Sequence, residues 1–153
     1  MKIISGGQTG IDRAALDVAL KHGIECGGWC PAGRLDEFGR IPDKYPVREL
    51  EHGSFAERTL QNAKDSNGTI VIFREELRGG TEYTVACCKQ LERPYRLIDA
   101  AEIPSDQAAA QIAEFVRAHK IDILNVAGPR ESEWPGGYGY VFQALELFLR
   151  NFA

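Results

Sequence analysis

Four of the 153 residues are cysteine, three are histidine, two are tryptophan and one is methionine. Cys26, Cys30, Cys87 and Cys88 contain no C-x-x-C pair, so zinc-knuckle and dithiol redox chemistry lack their usual signature. The thiols read as free and partly buried. His22, His52 and His119 show no ligand spacing, and no metal site is expected. No apolar run approaches the roughly 18 residues that a membrane span requires. The opening Met1-Lys2-Ile3-Ile4 meets glycine too soon to form a signal-peptide core, so a cytoplasmic protein away from membranes is expected. Lysine and arginine number 18 against 22 acidic residues, a net charge of −4 and the wrong sign for an unspecific binder of nucleic acid. Only Arg34, Arg40, Lys44 and Arg48 offer a local basic cluster.

Hydrophobic residues make up 44% and charged residues 26%, enough to bury a core, and the length points to a single domain over residues 1–153. Short apolar runs at Lys2–Ser5, Ile24–Cys30, Thr69–Phe73, Tyr95–Ile98 and Ile121–Ala127 alternate with segments of helical apolar spacing. That alternation predicts a doubly wound parallel sheet in a three-layer α/β/α sandwich. Ile70-Val71-Ile72-Phe73 is apolar without interruption, as a strand covered on both faces should be. Ile11, Ala14, Ala15, Val18 and Ala19 define a first helix that ends near Gly23, with Thr9 and Asp12 as its expected capping box. Ser54 and Glu57 predict a second capping box, and Thr81 is expected to cap a third helix. Ala108, Ile112, Phe115 and Val116 mark a fourth. Val141, Ala144, Leu145, Leu149, Phe148 and Phe152 form the stripe of the last, more apolar surface than one sheet face covers, so a homo-oligomer is expected. Pro31 to Pro46, rich in proline, glycine and charge, reads as a long irregular loop.

Three strand-to-helix segments carry chemistry. Ser5-Gly6-Gly7-Gln8-Thr9-Gly10 joins the first strand to the first helix, where glycines admit a close ligand and a helix N-terminus favours an anion such as phosphate. It matches neither G-x-G-x-x-G nor the Walker A pattern. Arg78-Gly79-Gly80-Thr81 is a second loop of this kind, and the two converge on one crevice if their strands are neighbours. The third, Asn125 to Gly136, brings Arg130, Ser132, Glu131 and Glu133 to the end of the last strand, with Arg130 suited to bidentate pairing with phosphate. For each segment the alternative is a turn that binds nothing. These observations place a phosphorylated small molecule among Gly6, Gly7, Gln8, Thr9, Gly10, Gly79, Gly80, Thr81 and Ser132, its charge met by Arg13 and Arg130.

Several stretches resemble the molybdenum carrier family, which includes molybdenum cofactor carrier proteins. They are Ser5 to Asp17, Cys30-Pro31-Ala32-Gly33-Arg34, Arg58-Thr59 with Asn62, Gly79-Gly80-Thr81, and Leu124 to Glu133 with Pro135-Gly136. More widely the chain is similar to Rossmann-like binders of nucleotide derivatives, the DNA-processing protein A family and the lonely-guy phosphoribohydrolases among them. The resemblance implies molybdenum cofactor (molybdopterin) as the bound ligand, a carrier or storage role, an oligomer, and Arg34 as a further ligand contact. The alternative it leaves open is a nucleotide-derivative sensor, or an enzyme that hydrolyses the N-glycosidic bond of a nucleoside monophosphate. Such an enzyme needs a carboxylate near the sugar. Glu82, Glu131 and Glu133 are the candidates, although the phosphoribohydrolase loop runs longer than Gly79-Gly80-Thr81-Glu82 before its glutamate. No catalytic residue is assigned.

Overall fold

The computed structural model describes residues 1–152. Nine strands and five helices follow in the order β1 Lys2–Ile4, α1 Ile11–Lys21, β2 Glu25–Gly27, β3 Trp29–Cys30, β4 Leu35–Asp36, β5 Gly39–Arg40, β6 Arg48–Glu49, α2 Phe55–Asp65, β7 Gly68–Phe73, α3 Gly79–Gln90, β8 Tyr95–Asp99, α4 Ser105–His119, β9 Ile123–Ala127 and α5 Gly137–Asn151. Five of the strands form one parallel sheet in the order β2-β1-β9-β7-β8. The first strand is inside the sheet, as expected. β1 and β7 are not neighbours, however, because β9 lies between them.

Strand alternation gives the sheet two different faces. Ile3, Ile70, Ile72, Ile98, Leu124 and Val126 point toward α1, α4 and α5 and share one apolar cluster with the buried stripes of those helices. Thr69 and Asn125 are out of register with that set and belong to the opposite face, which α2 and α3 cover. There the strands still bury Ile4, Val71 and Phe73, but the helices bring a smaller apolar cluster, Ala63, Cys87 and Cys88 with a few partly buried neighbours. On α5, Val141, Ala144, Leu145 and Phe148 are buried within the chain, and Phe152 packs on Phe148 at 4.9 Å between ring centroids. The stripe that pointed to a second copy is therefore covered largely by α1, α4 and the sheet. No helix among the described residues is long and apolar enough to cross a membrane.

Local sequence signals hold at several element ends and fail at others. Ser54 and Glu57 form the reciprocal capping box at the start of α2. Thr9 does not cap α1. Gly10 does, at φ 82°, and a side chain there would press within 2.9 Å of the Pro129 carbonyl and the Glu131 amide. α3 begins two residues before Thr81, with Arg78 as its cap. The run from Ile24 to Cys30 splits into β2 and β3 at Gly28, whose φ of 123° and contact with the Ser5 backbone leave no room for a side chain. Within the irregular loop, β4 and β5 form a short antiparallel hairpin.

Candidate functional site

The loop between β1 and α1 is held by its own side chains. Ser5 Oγ accepts from the Gly7 amide at 3.4 Å, an Asp12 carboxylate oxygen accepts from the Gln8 amide at 3.3 Å, and Gln8 Oε1 accepts from the Thr9 amide at 3.0 Å. The amides of Gly7, Gln8 and Thr9 are thereby engaged inside the protein. Glu37, on the hairpin turn, adds a tie: it accepts from the Thr9 hydroxyl at 3.0 Å and from the Ser132 amide at 3.3 Å, while its own amide donates to Gln8 Oε1 at 2.9 Å.

A cavity of about 340 Å³ opens beside this loop, between the polar face of the sheet and the helices α2 and α3. Residues from three strand ends line it: Gly6 and Gln8 after β1, Gly79, Gly80 and Thr81 after β7, and Gly128, Pro129, Arg130 and Glu133 after β9. The buried side chains Asp12, Arg58, Asn62, Thr84 and Asn125 supply its polar interior. Phe55 on α2 and Tyr83 on α3, 39% and 41% exposed, set two aromatic rings at its edge. Its volume lies within the range of small-molecule sites.

Arg58 is the strongest charge in this space. It is only 8% exposed, yet its Nη1 donates to the Gly6 carbonyl at 2.9 Å and its Nε only grazes the Phe55 carbonyl at 3.4 Å. Nη2 has no hydrogen-bond partner among the described residues. Asp12 stands 3.7 Å from Nη1, a loose ion pair. Burial raises the Asp12 carboxyl to about 6 against the pull of Arg58, and burial lowers the Arg58 guanidinium against the pull of Asp12. A buried cation with unused donors is a site for an anion. The first turn of α3 adds to it, because Arg78 makes no side-chain cap and nothing lies within 4 Å of where a Cβ of Gly79 or Gly80 would stand. That leaves amides and a helix dipole facing open space.

Of the residues expected in the site, Gly6, Gln8, Gly79, Gly80, Thr81 and Arg130 line the cavity. Gly7, Thr9, Gly10, Arg13, Arg34 and Ser132 do not. Arg13 spends its guanidinium on the Gly7 carbonyl at 3.0 Å and on Asp36 at 2.8 Å. Arg34 donates to the carbonyls of Ile41, Pro42, Tyr45 and Val47 at 2.8–3.3 Å, and so shapes the long loop. Arg130 is half exposed and paired with Glu133 at 2.7 Å. Glu82 and Glu131 lie outside the cavity lining, which leaves Glu133 as the only one of the three candidate carboxylates there. The sequence reading missed the roles of Asp12, Arg58 and Asn125. Arg58 and Asn62, four residues apart on α2, did carry a signal: the spacing puts them on one face of the helix, and both are buried.

Comparison with known proteins agrees with this architecture. The crystal structure of a putative molybdenum carrier protein from Syntrophus aciditrophicus SB superposes with a TM-score of 0.94 at 44% sequence identity, covering 97% of this chain and 94% of that one. No curated protein matches the sequence. The profile of the circularly permutated YpsA SLOG family spans residues 3–149, which takes in every strand end that lines the cavity, and the chain belongs to that family.

Proposed function

We propose that the cavity between the sheet and the α2–α3 pair binds a phosphorylated heterocycle, and that the cargo is molybdenum cofactor held as by a carrier or storage protein. Arg58 carries the proposal: its guanidinium lines the same cavity as the first turn of α3, which has no side-chain cap, and its Nη2, which makes no hydrogen bond among the described residues, is open to an anionic ligand. The phosphate belongs against Arg58 and the Gly79-Gly80-Thr81 turn, with Arg130 closing from the rim. Phe55 and Tyr83 offer flat apolar faces to a ring system. The pterin of the cofactor has both parts, a phosphate and a flat heterocycle, and the name of the Syntrophus protein points to the same cargo. These residues suit the pterin moiety, and the metal is carried as part of the cargo.

Extraction of ligand from the purified protein followed by mass determination tests the reading. A phosphorylated pterin is the expected result, lost from an Arg58→Ala variant. Absence of any retained phosphorylated compound, together with no binding when pterin and nucleotide phosphates are titrated, overturns it.

A further inference from the structure

The buried end of the cavity is rich in acceptors, which Arg58 and the α3 amides do not explain. Asp12 projects from the first turn of α1 and is 7% exposed at the cavity wall. The amides of Gln8, at 3.3 Å, and of Gly6 hold part of its carboxylate. A carboxylate has about four lone-pair positions, so acceptor capacity remains for the cavity. Asn125 stands on β9, the strand paired with β1, directly beside Ile4 in the register. It is 3% exposed, and its amide makes one hydrogen bond among the described residues, Nδ2 donating to Thr69 Oγ1 at 3.3 Å. Asn125 Oδ1 makes no hydrogen bond among the described residues, and since no buried side-chain oxygen there lacks a partner, it is an accessible acceptor of a cavity-lining residue.

We infer that Asp12 and Asn125 read the N–H edge of a 2-amino-4-oxo-pyrimidine ring, the element that pterins share with guanine and adenine lacks. The inference rests on the cavity being a site for a phosphorylated heterocycle. Such a ring presents a ring N–H and an exocyclic NH2 side by side, which matches two carboxylate oxygens. Adenine would bring the lone pair of its ring nitrogen against the same carboxylate. Asp12 and Asn125 then determine which heterocycle is accepted, while Arg58 and α3 hold the phosphate of any.

Titration with guanosine 5′-monophosphate, neopterin monophosphate and adenosine 5′-monophosphate tests this. The wild type is expected to bind the first two about 30-fold more tightly than the third, within the range for a bidentate base contact. Asp12→Asn should weaken the first two by about the same factor and adenosine monophosphate by less than about threefold, so that selectivity collapses. Should Asp12→Asn fail to fold, Asn125→Ser reads the same ratio and should lower it by about 5-fold. Equal affinity of the wild type for all three overturns the inference and leaves the phosphate site standing. So does a uniform loss in Asp12→Asn, which would make Asp12 a support for the Gln8 loop alone. Binding of none of the three overturns this inference and the phosphorylated-heterocycle reading together.

Discussion

The two faces of the central sheet are made by the same five strands, yet only one of them mixes polar side chains into its packing. Toward α1, α4 and α5 the strands present isoleucine, leucine and valine to helices whose stripes are fully buried. Toward α2 and α3 they set Thr69 and Asn125 among Ile4, Val71 and Phe73, and the helices answer with Arg58, Asn62, Thr81 and Thr84. A layer packed like the first leaves no space for a ligand. The second leaves a cavity and accepts a buried ion pair to line it, an arrangement that contributes little to stability on its own. Stability and binding are thus separated by one sheet, and substitutions on the two sides should differ in what they change.

The largest expected effect is on the apolar side. Phe148→Ala empties a site 1% exposed in the last turn of α5, and a loss of about 3–5 kcal/mol is expected in urea unfolding. A ligand-saturated protein should lose as much. On the polar side, Arg58→Ala should weaken a phosphorylated ligand by roughly 100-fold, about 2.7 kcal/mol for a charged hydrogen-bonded anchor. Arg58→Lys should recover part of that, with calorimetric titration as the measure. Equal loss of ligand affinity in Phe148→Ala and Arg58→Ala would erase the distinction between the faces.

A pH series sharpens it further. The Asp12 carboxyl rises from 3.8 to about 6 on folding, so the folded state binds its proton more tightly than the unfolded chain. Its burial as a carboxylate therefore opposes folding above pH 6, and that opposition fades as pH falls toward 4. Between pH 7 and pH 5 the wild type should gain about 1 kcal/mol relative to Asp12→Asn, measured by denaturant unfolding of both proteins. A difference that stays constant over this interval would place Asp12 in a wetter setting. The smallest effect belongs to Arg130. Half exposed and already paired with Glu133, its replacement by alanine should weaken a phosphorylated ligand only about 3- to 5-fold.

Element order, parallel pairing and the central place of β1 could be read from apolar runs, because a strand covered on both sides leaves an uninterrupted signal. The glycine loops after β1 and β7 were legible as well, and members of both line the cavity. What side chains do with their donors was not. Arg13, Arg34 and Arg58 are alike in sequence, and the fold decides that the first two are consumed by carbonyls and Asp36 while the third keeps donors free. Asp12 looked like half of a capping box because that spacing recurs at helix starts. Gly10 took the capping position instead, since only there could the 129–131 segment approach so closely.

The position of β9 bears on how the chain reaches this state. Up to Asp122 the strands form two separate parallel pairs, β1 with β2 and β7 with β8, and β9 then inserts between them. Its register joins Ile3 to Leu124 across more than a hundred residues, a loop closure that slows folding. Until it inserts, β1 and β7 each have an open edge, and that of β7 carries the wholly apolar Ile70-Val71-Ile72-Phe73. During synthesis on a ribosome this is the interval in which the chain is most exposed to pairing with another. The cavity draws residues from both halves and from β9, so it is complete only with β9 in place, and a ligand that bridges them stabilises that state.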